Sequence, residues 1–182
     1  MESIPSVSSG LPHHLHTVLS ALCRRPYPHV PNPPGCKKRA SVALILRVQP
    51  TYEHWPESTI IGKPTLPVEQ RLKDFFAQSW VQHGEPEALF IKRASRVGDR
   101  WTGHVALPGG KRDPEDKDDR DVAIRESLEE IGLDLTTDDY IHVGNLPERV
   151  VTTSWGSEPY VFLIFHDEIQ LSVTLVLMIF DF

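Results

Sequence analysis

Hydrophobic and polar positions along the chain predict a core of strands and helices. Residues 40–48, ASVALILRV, form an almost unbroken apolar and β-branched run, which predicts a buried strand. Residues 67–82 carry apolar side chains at near-helical spacing and predict a helix that packs on the core. These side chains are Val68, Leu72, Phe75, Phe76 and Trp80.

Further strands are predicted on both sides of a second helix, which lies between residues 119 and 132. The strand segments are residues 87–95, 104–110, 140–151, 160–165 and 173–180. Up to residue 165, and with the helix of residues 67–82 left aside, the order is strand, strand, strand, helix, strand, strand. This order is typical of an α+β domain with a mixed sheet, not of a repeating doubly wound unit.

The division into domains follows from proline and from the apolar runs. Residues 24–35, RRPYPHVPNPPG, are too rich in proline for a helix or a sheet, although residues 15–22 have the pattern of a short helix. We therefore expect residues 1–38 to form a flexible N-terminal arm. Residues 39–182 then form the folded domain, with an insertion at residues 49–86.

The second helix lies in an acidic segment, GGKRDPEDKDDRDVAIRESLEEIGL, after the third strand. Asp119 or Asp121 suits its N-cap region, and Gly132 suits its C-terminal end. On a wheel of about 100° per residue, an apolar stripe predicted to face the core and a group of glutamates lie on opposite sides. The stripe is Ile124, Leu128 and Ile131, and the group is Glu126, Glu129 and Glu130, with Arg125 in reach of Glu129.

The glutamates have two interpretations. A charged outer face of a surface helix is common. Unpaired, however, Glu126 and Glu130 repel each other by roughly a few tenths of a kcal/mol, and a divalent cation would reverse the sign of that interaction. The glycine pair before the helix leaves room for a ligand. Lys111 is followed by Arg112 and not by Ser or Thr, so the segment is not a P-loop.

This segment resembles the box of the Nudix hydrolases, G-x5-E-x7-R-E-U-x-E-E-x-G-U, in which U is a bulky aliphatic residue. Gly110 matches the first glycine, and residues 125–133 match the second half with Ser127 off-pattern. Asp116 stands at the family's isolated glutamate, one residue further from Arg125. The resemblance implies an α/β/α sandwich with a mixed sheet.

The chain resembles the coenzyme A diphosphatases more closely, whose lead-in reads L-L-T-x-R-S…G-Q-V-x-F-P-G-G. Residues 89–95, LFIKRAS, and 103–110, GHVALPGG, follow that form, with His104 for Gln and Leu107 for Phe. The resemblance covers about residues 40–165.

The resemblance implies hydrolysis of a nucleoside diphosphate linked to another group, with Mg²⁺ or Mn²⁺ as cofactor. The implied metal ligands are Glu126, Glu129, Glu130 and the carbonyl of Gly109. The implied catalytic residues are Glu129, Glu130 and Arg125, with Arg125 orienting a glutamate.

Several roles stay open. The general base is Glu129 or a downstream carboxylate such as Glu148 or Glu158. Arg93 and Lys111 would bind substrate phosphates, and the alternative for both is a solvated surface charge.

The partner that the resemblance implies is a small nucleotide, coenzyme A or a derivative, cleaved to 3′,5′-ADP and 4′-phosphopantetheine. Two alternatives are kept: a Nudix hydrolase of another nucleotide, such as a nucleotide sugar or a dinucleotide, and an inactive Nudix-like module that binds a nucleotide or a protein.

Charge and composition argue against nucleic acid and membrane as partners. A net charge of -6 argues against a general nucleic-acid binder, and no apolar run is long enough to span a bilayer. Two cysteines without metal-ligand spacing favour a reducing, intracellular compartment, cytoplasmic or mitochondrial. The oligomeric state is not predicted.

The C-terminal segment departs from the family pattern. Residues 166–182, HDEIQLSVTLVLMIFDF, show no second helix after the strands. Our hypothesis is an incomplete C-terminal part, in which the loss of a covering helix exposes an apolar face of the sheet.

Overall fold

The computed structural model describes residues 10–32, 34, 38–56, 65–95, 97, 103–151 and 169–178. The helices in these ranges are α1 (Leu11–Arg24), α2 (Val68–Phe76), α3 (Ser79–Gln82) and α4 (Asp119–Ile131), with a 3₁₀ turn at Tyr52–His54. The strands are β1 (Lys38–Gln49), β2 (Glu85–Ala88), β3 (Ile91–Lys92), β4 (Val105–Ala106), β5 (Gly109–Lys111), β6 (Tyr140–Asn145), β7 (Arg149–Val151) and β8 (Ile169–Met178). Among the described residues, no helix is long and apolar enough to cross a membrane.

Strand β1 organises a six-stranded mixed sheet with the order β2-β1-β8-β6. It pairs in parallel with β8, from Lys38 opposite Ile169 to Leu46 opposite Leu177, and antiparallel with β2 and β5. Strands β6 and β7 pair antiparallel with β8, while β3 and β4 form a separate two-stranded sheet. The mixed α+β architecture predicted from the sequence is confirmed.

Side chains of β1 enter two cores on opposite faces of the sheet, because successive residues of a strand alternate in direction. Val48 packs in the core formed with α1, α2, α3 and β6. Ala43 and Ile45 pack in the core formed with Ala123 of α4. Helices therefore cover both faces, which is the α/β/α layering implied by the resemblance.

The predicted core-packing helix of residues 67–82 is present as α2 and α3. Leu72 and Phe75 are fully buried, and the Phe75 and Trp80 rings meet edge-to-face with centroids 5.5 Å apart. Large buried rings of this kind contribute strongly to the core.

The expectation of a flexible N-terminal arm is wrong for Leu11–Arg24, which form α1. Its Leu19 is 1% exposed and its Leu22 is 8% exposed, because the apolar face of α1 packs on α2 and β6. Together, α1 and α2 pack on the sheet face opposite α4.

The predicted strands are found with different breaks. Residues 87–95 contribute to β2 and β3, residues 104–110 to β4 and β5, and residues 140–151 to β6 and β7. The second and third breaks coincide with Pro108 and Pro147, which cannot donate to a strand ladder. The predicted C-terminal strand is β8, whereas residues 160–165 lie outside the described residues.

Helix α4 has the predicted end and a different buried side. Gly132 caps it in the left-handed conformation, at φ 72°. The N-cap is Asp118, one residue before the predicted region, and its carboxylate accepts from the Asp121 N–H. Leu128 is 51% exposed, so the predicted stripe is wrong there; Ala123 and Ser127 are fully buried instead, and Ala123 packs with Ala43 and Ile45 of β1. Small side chains allow the close helix–strand approach that a leucine would prevent.

Candidate active site

The glycine pair lies where β5 pairs with β1 and faces α4. Gly110 is opposite Ser41, and Gly109 is opposite Val42. A Cβ at Gly110 would collide with the Glu126 carboxylate. Gly109 has φ 148° and leaves no space for a Cβ beside the Ser41 carbonyl. Glycine at both positions therefore lets the strand backbone lie directly against the acidic side of α4.

Two of the three predicted glutamates, Glu126 and Glu130, lie against this backbone, and Glu129 lies near Glu126. Glu130 accepts a hydrogen bond from the Gly109 N–H at 2.9 Å, and Glu126 lies against Gly110. The Glu126 side chain is 17% exposed and that of Glu129 is 59% exposed. The carboxylates therefore differ in solvent exposure, from the largely buried Glu126 to the open Glu129. Glu126 occupies the space that a side chain at Gly110 would fill.

Electrostatics at Glu126 disfavour its ionised form without a cation. Burial raises the pKa of Glu126, and repulsion from Glu130 and Glu129 acts in the same direction, while the hydrogen bond from Arg125 opposes both. A neighbouring divalent cation would relieve the repulsion.

Arg125 connects the glutamates to the loop before α4. Its guanidinium donates to both carboxylate oxygens of Asp116 at 3.0 Å, to Glu126 at 3.0 Å and to Glu129 at 3.5 Å. A further bond at 3.0 Å reaches the Lys111 carbonyl. The predicted contact of Arg125 with a glutamate is present, and its principal partner is Asp116.

Asp116, at the position of the family's isolated glutamate, holds Arg125 in place. It is buried, and the Asp113 N–H donates to its second oxygen at 2.8 Å. The hydrogen bonds from Arg125 lower the pKa of Asp116, so this carboxylate stays ionised. The shorter Asp side chain and the extra residue before Arg125 still produce a two-oxygen contact with the guanidinium.

A second carboxylate cluster lies at the N-terminal end of α4. Arg39, at the start of β1, donates to both oxygens of Asp119 at 2.5 to 2.8 Å and to Glu148 at 2.6 Å. Side-chain exposures are 7% for Arg39, 6% for Asp119 and 3% for Glu148. His29 contacts Glu148 at 3.1 Å. We call Arg39, Asp119, Glu148 and His29 the Arg39 cluster.

The Arg39 cluster already contains a cation, because Arg39 binds both of its carboxylates. Ligand atoms of His29, Asp119 and Glu148 lie within 4.8 Å of one another, which is a spacing that a metal could use. Arg39 already occupies the region between the two carboxylates. Burial would raise the pKa of Glu148, but hydrogen bonds from Arg39 and from the Val30 N–H lower it overall.

Sequence reasoning did not identify this cluster, although one signal was present. Arg39 begins a strand that is otherwise apolar, and a buried guanidinium requires a partner of opposite charge. Asp119 is 80 positions away, so the partner could not be chosen by spacing.

The remaining residues predicted for the site lie in different parts of the structure. Lys111 directly follows the glycine pair at the end of β5. Arg93 extends the separate β3/β4 sheet, where its N–H donates to the His104 carbonyl at 2.9 Å. Glu148 belongs to the Arg39 cluster, and Glu158 lies outside the described residues.

Comparison with known protein families identifies the family to which this chain belongs. The sequence profile of the NUDIX domain matches residues 79–176, more than half of the chain. The chain belongs to the NUDIX family. The acidic helix and glycine pair described above lie within the matched NUDIX region.

Similar proteins cover this NUDIX chain to different extents. An uncharacterized protein of Schizosaccharomyces pombe is 37% identical over 150 residues, which are 80% of this chain and 38% of that protein. The mitochondrial coenzyme A diphosphatase NUDT8 of Mus musculus is 46% identical over 52 residues, 29% of this chain and 25% of that enzyme. The peroxisomal coenzyme A diphosphatase NUDT7 of Mus musculus is 46% identical over 50 residues, 28% of this chain and 21% of that enzyme.

The chain thus spans well under half the length of these curated relatives. A MutT/nudix family protein from Enterococcus faecalis aligns with 97% of this chain and 50% of its own, at 12% identity and a TM-score of 0.39.

Proposed function

We propose that this chain carries a metal-dependent hydrolase centre that cleaves the pyrophosphate bond of a nucleoside diphosphate linked to another group. The supporting observation is the charge of the site at the glycine pair. Glu126, Glu129 and Asp116 contact one arginine, Arg125, while Glu130 lies near Glu126 and accepts from the Gly109 N–H, so negative charge is in excess.

The donor set fits a hard divalent cation. Carboxylate and carbonyl oxygens are the ligands that Mg²⁺ and Mn²⁺ prefer. We assign Glu126 and Glu130 as the principal ligands, Glu129 as the third and the Gly109 carbonyl as a further ligand. A bound ion would neutralise the pyrophosphate and make a water molecule more nucleophilic.

The surrounding residues position these ligands. Arg125 fixes the Glu126 carboxylate, Asp116 fixes Arg125, and the Gly109 N–H fixes Glu130. Partners of metal ligands restrict the orientation of those ligands in this way. We therefore assign Arg125 a positioning role for the metal site.

Among the candidate general bases, we favour Glu129. It is the most open of the described candidates, and its contact with Arg125 is long at 3.5 Å. Glu148 is buried against Arg39, and its lowered pKa makes it a weaker proton acceptor. A general base must also reach the attacking water, which favours an exposed carboxylate.

Coenzyme A or one of its derivatives is the substrate that we propose. The support is the lead-in to the glycine pair, together with the short matches to two coenzyme A diphosphatases. In this assignment Lys111 contacts a substrate phosphate, and so does Arg93 if the substrate reaches the β3/β4 sheet. Other nucleotides are the alternative.

Hydrolysis assays with four proteins test the proposal. Wild type, Glu126→Gln, Glu130→Gln and the exposed-site control Glu53→Gln would be given coenzyme A, ADP-ribose and a dinucleotide with Mg²⁺ or Mn²⁺. We expect coenzyme A to be cleaved by the wild type and the control only. Cleavage of the other nucleotides alone would refute the substrate assignment, and a folded wild type without any activity would indicate a nucleotide-binding module.

A further inference from the structure

A surface cavity of about 660 Å³ lies beside the N-terminal part of α4 and the end of β5. The charged residues of its wall are Lys38, Arg39, Lys111, Arg112, Asp113 and Asp116. It does not include the three glutamates of the candidate metal site. Lys111 links the two places, because it follows Gly110 and its carbonyl accepts from Arg125.

The acidic residues of this wall are already paired. Asp116 accepts two hydrogen bonds from Arg125, and Asp113 lies 3.8 Å from the same guanidinium. Arg39 is likewise matched, since Asp119 and Glu148 bind it from outside the cavity wall. Asp113 and Asp116 share the one guanidinium of Arg125 with two glutamates, so their negative charge is only partly neutralised.

Two basic residues of the wall, Lys111 and Arg112, are matched less completely. The Lys111 ammonium makes no hydrogen bond or ion pair with any described residue. Arg112 donates to two backbone carbonyls, those of Asp116 and Lys117, and its contact with Asp119 is 3.9 Å long. A guanidinium held by neutral carbonyls keeps its full charge, so Lys111 and Arg112 give this side of the cavity wall a positive charge that attracts anions.

Strand register brings a second ammonium to the same side. Ala40 is paired directly with Lys111, and Lys38 precedes Ala40 by two residues. Residues two apart on a strand share a face, and diagonal neighbours of adjacent strands lie within reach of long side chains. Lys38 and Lys111 therefore stand on one face of the β1/β5 pair, at the rim of the cavity.

We infer that this cavity binds a phosphomonoester, with Lys111 and Arg112 as the principal donors and Lys38 beside them. A phosphate dianion matches two or more cationic donors in charge and in hydrogen-bonding capacity. Insofar as the phosphate is a substrate group, the inference rests on the proposed function. The phosphomonoester is then a second anionic group of the substrate, in addition to the pyrophosphate.

The first test measures binding without metal and without turnover. Adenosine 3′,5′-bisphosphate, adenosine 5′-monophosphate and inorganic phosphate would be titrated into the full chain by calorimetry. The proteins are wild type, the double variant Lys38→Gln/Lys111→Gln, and the control Lys73→Gln, whose exposed lysine lies on α2. The substituted lysines are exposed, and thermal melts would verify that each variant folds.

We expect wild type and control to bind the bisphosphate about tenfold more tightly than the monophosphate, and the double variant to lose that preference. Competition by inorganic phosphate would assign the site to phosphate as such, and preference without competition would assign it to the phosphorylated nucleotide. A preference absent from wild type, or unchanged in the double variant, would overturn the inference.

Hydrolysis distinguishes failure of this inference from failure of the proposed function. Coenzyme A and dephospho-coenzyme A would be compared by KM in the same proteins. Equal KM values for both compounds in every protein would overturn the cavity assignment and leave the hydrolase standing. Conversely, lysine-dependent binding of the bisphosphate without any hydrolysis would support the cavity and contradict the hydrolase.

Discussion

Helix α4 carries two groups of carboxylates that differ in how their charge is compensated. At its start, Asp119 is buried with Glu148 around Arg39. Further along, Glu126, Glu129 and Glu130 are more exposed; Glu126 and Glu129 share Arg125 with Asp116, and Glu130 accepts from the Gly109 N–H. In the first group, the guanidinium of Arg39 binds both carboxylates directly. The second is left with excess negative charge beside a glycine backbone, which is the arrangement a cation site requires.

The pKa values of Glu148 and Glu126 are shifted in opposite directions, in agreement with this difference in charge compensation. Hydrogen bonds from Arg39 lower the pKa of Glu148 despite its burial, whereas burial and like charges raise the pKa of Glu126 despite Arg125. Residue type alone therefore does not identify a metal site. The neighbouring cations and the space beside the carboxylates do.

The largest effect is expected from removing one charge of the candidate metal site. Glu126→Gln should reduce hydrolysis by about 100-fold or more, because loss of even an indirect partner of a metal ligand costs up to about 100-fold. Steady-state assays at saturating Mg²⁺ would measure this. Glu148→Gln, verified as folded, should retain most activity. A larger loss of hydrolysis in Glu148→Gln than in Glu126→Gln would contradict the distinction between the two carboxylate groups.

Removing the central cation of the Arg39 cluster should reduce stability. Arg39→Met leaves two buried carboxylates without their partner, and we expect a loss of about 3–5 kcal/mol in the free energy of unfolding. Urea denaturation would measure it.

The matched control is Arg47→Met on the same strand. Arg47 pairs with Glu87 at 2.6 Å, but both side chains are about 40% exposed, at 41% and 43%. Exposed pairs contribute at most about 1 kcal/mol. Equal losses for the two arginines would show that the Arg39 cluster is not a buried network.

Acid should remove the contribution of Glu148. Because the pKa of folded Glu148 lies below its ordinary value of 4.5, its stabilising effect is present above pH 4.5 and disappears as the pH falls through the folded pKa. The difference in unfolding free energy between wild type and Glu148→Gln should therefore be largest near neutral pH and shrink in acid. A difference that grows in acid would have the wrong sign.

A smaller effect is expected at Ser127, which lies on α4 within the span of the second group. Its hydroxyl is buried without a hydrogen-bond partner among the described residues. Ser127→Ala removes this unsatisfied group with little change in volume, and we expect a gain of about 1 kcal/mol in unfolding free energy. Thermal and urea melts would measure the gain, and a clear loss would indicate that the hydroxyl has a partner.

Local patterns predicted much of the fold. The apolar run of β1, the helical spacing in α2 and Gly132 at the end of α4 each depend on nearby residues, and each is found as predicted. The box also predicted Arg125 and the α4 glutamates as site residues, and the structure places Glu126 and Glu130 against the glycine pair.

Other features depended on contacts that spacing does not encode. The Arg39 cluster joins residues about 80 and 109 positions apart, as measured from Arg39 to Asp119 and to Glu148. The buried side of α4 was mispredicted, because its close approach to β1 selects the small Ala123 and Ser127 over Leu128. Packing of α1 depended on a partner face that forms only when the sheet is assembled.

Direct metal binding tests the central claim most directly. Metal-free wild type, Glu126→Gln, Glu130→Gln and Glu148→Gln would be titrated with Mn²⁺ by calorimetry, with each protein verified as folded. The account predicts binding by wild type and Glu148→Gln, and a loss of about tenfold or more in affinity for Glu126→Gln and Glu130→Gln. Loss of binding in Glu148→Gln, with affinity retained in the two α4 variants, would contradict it.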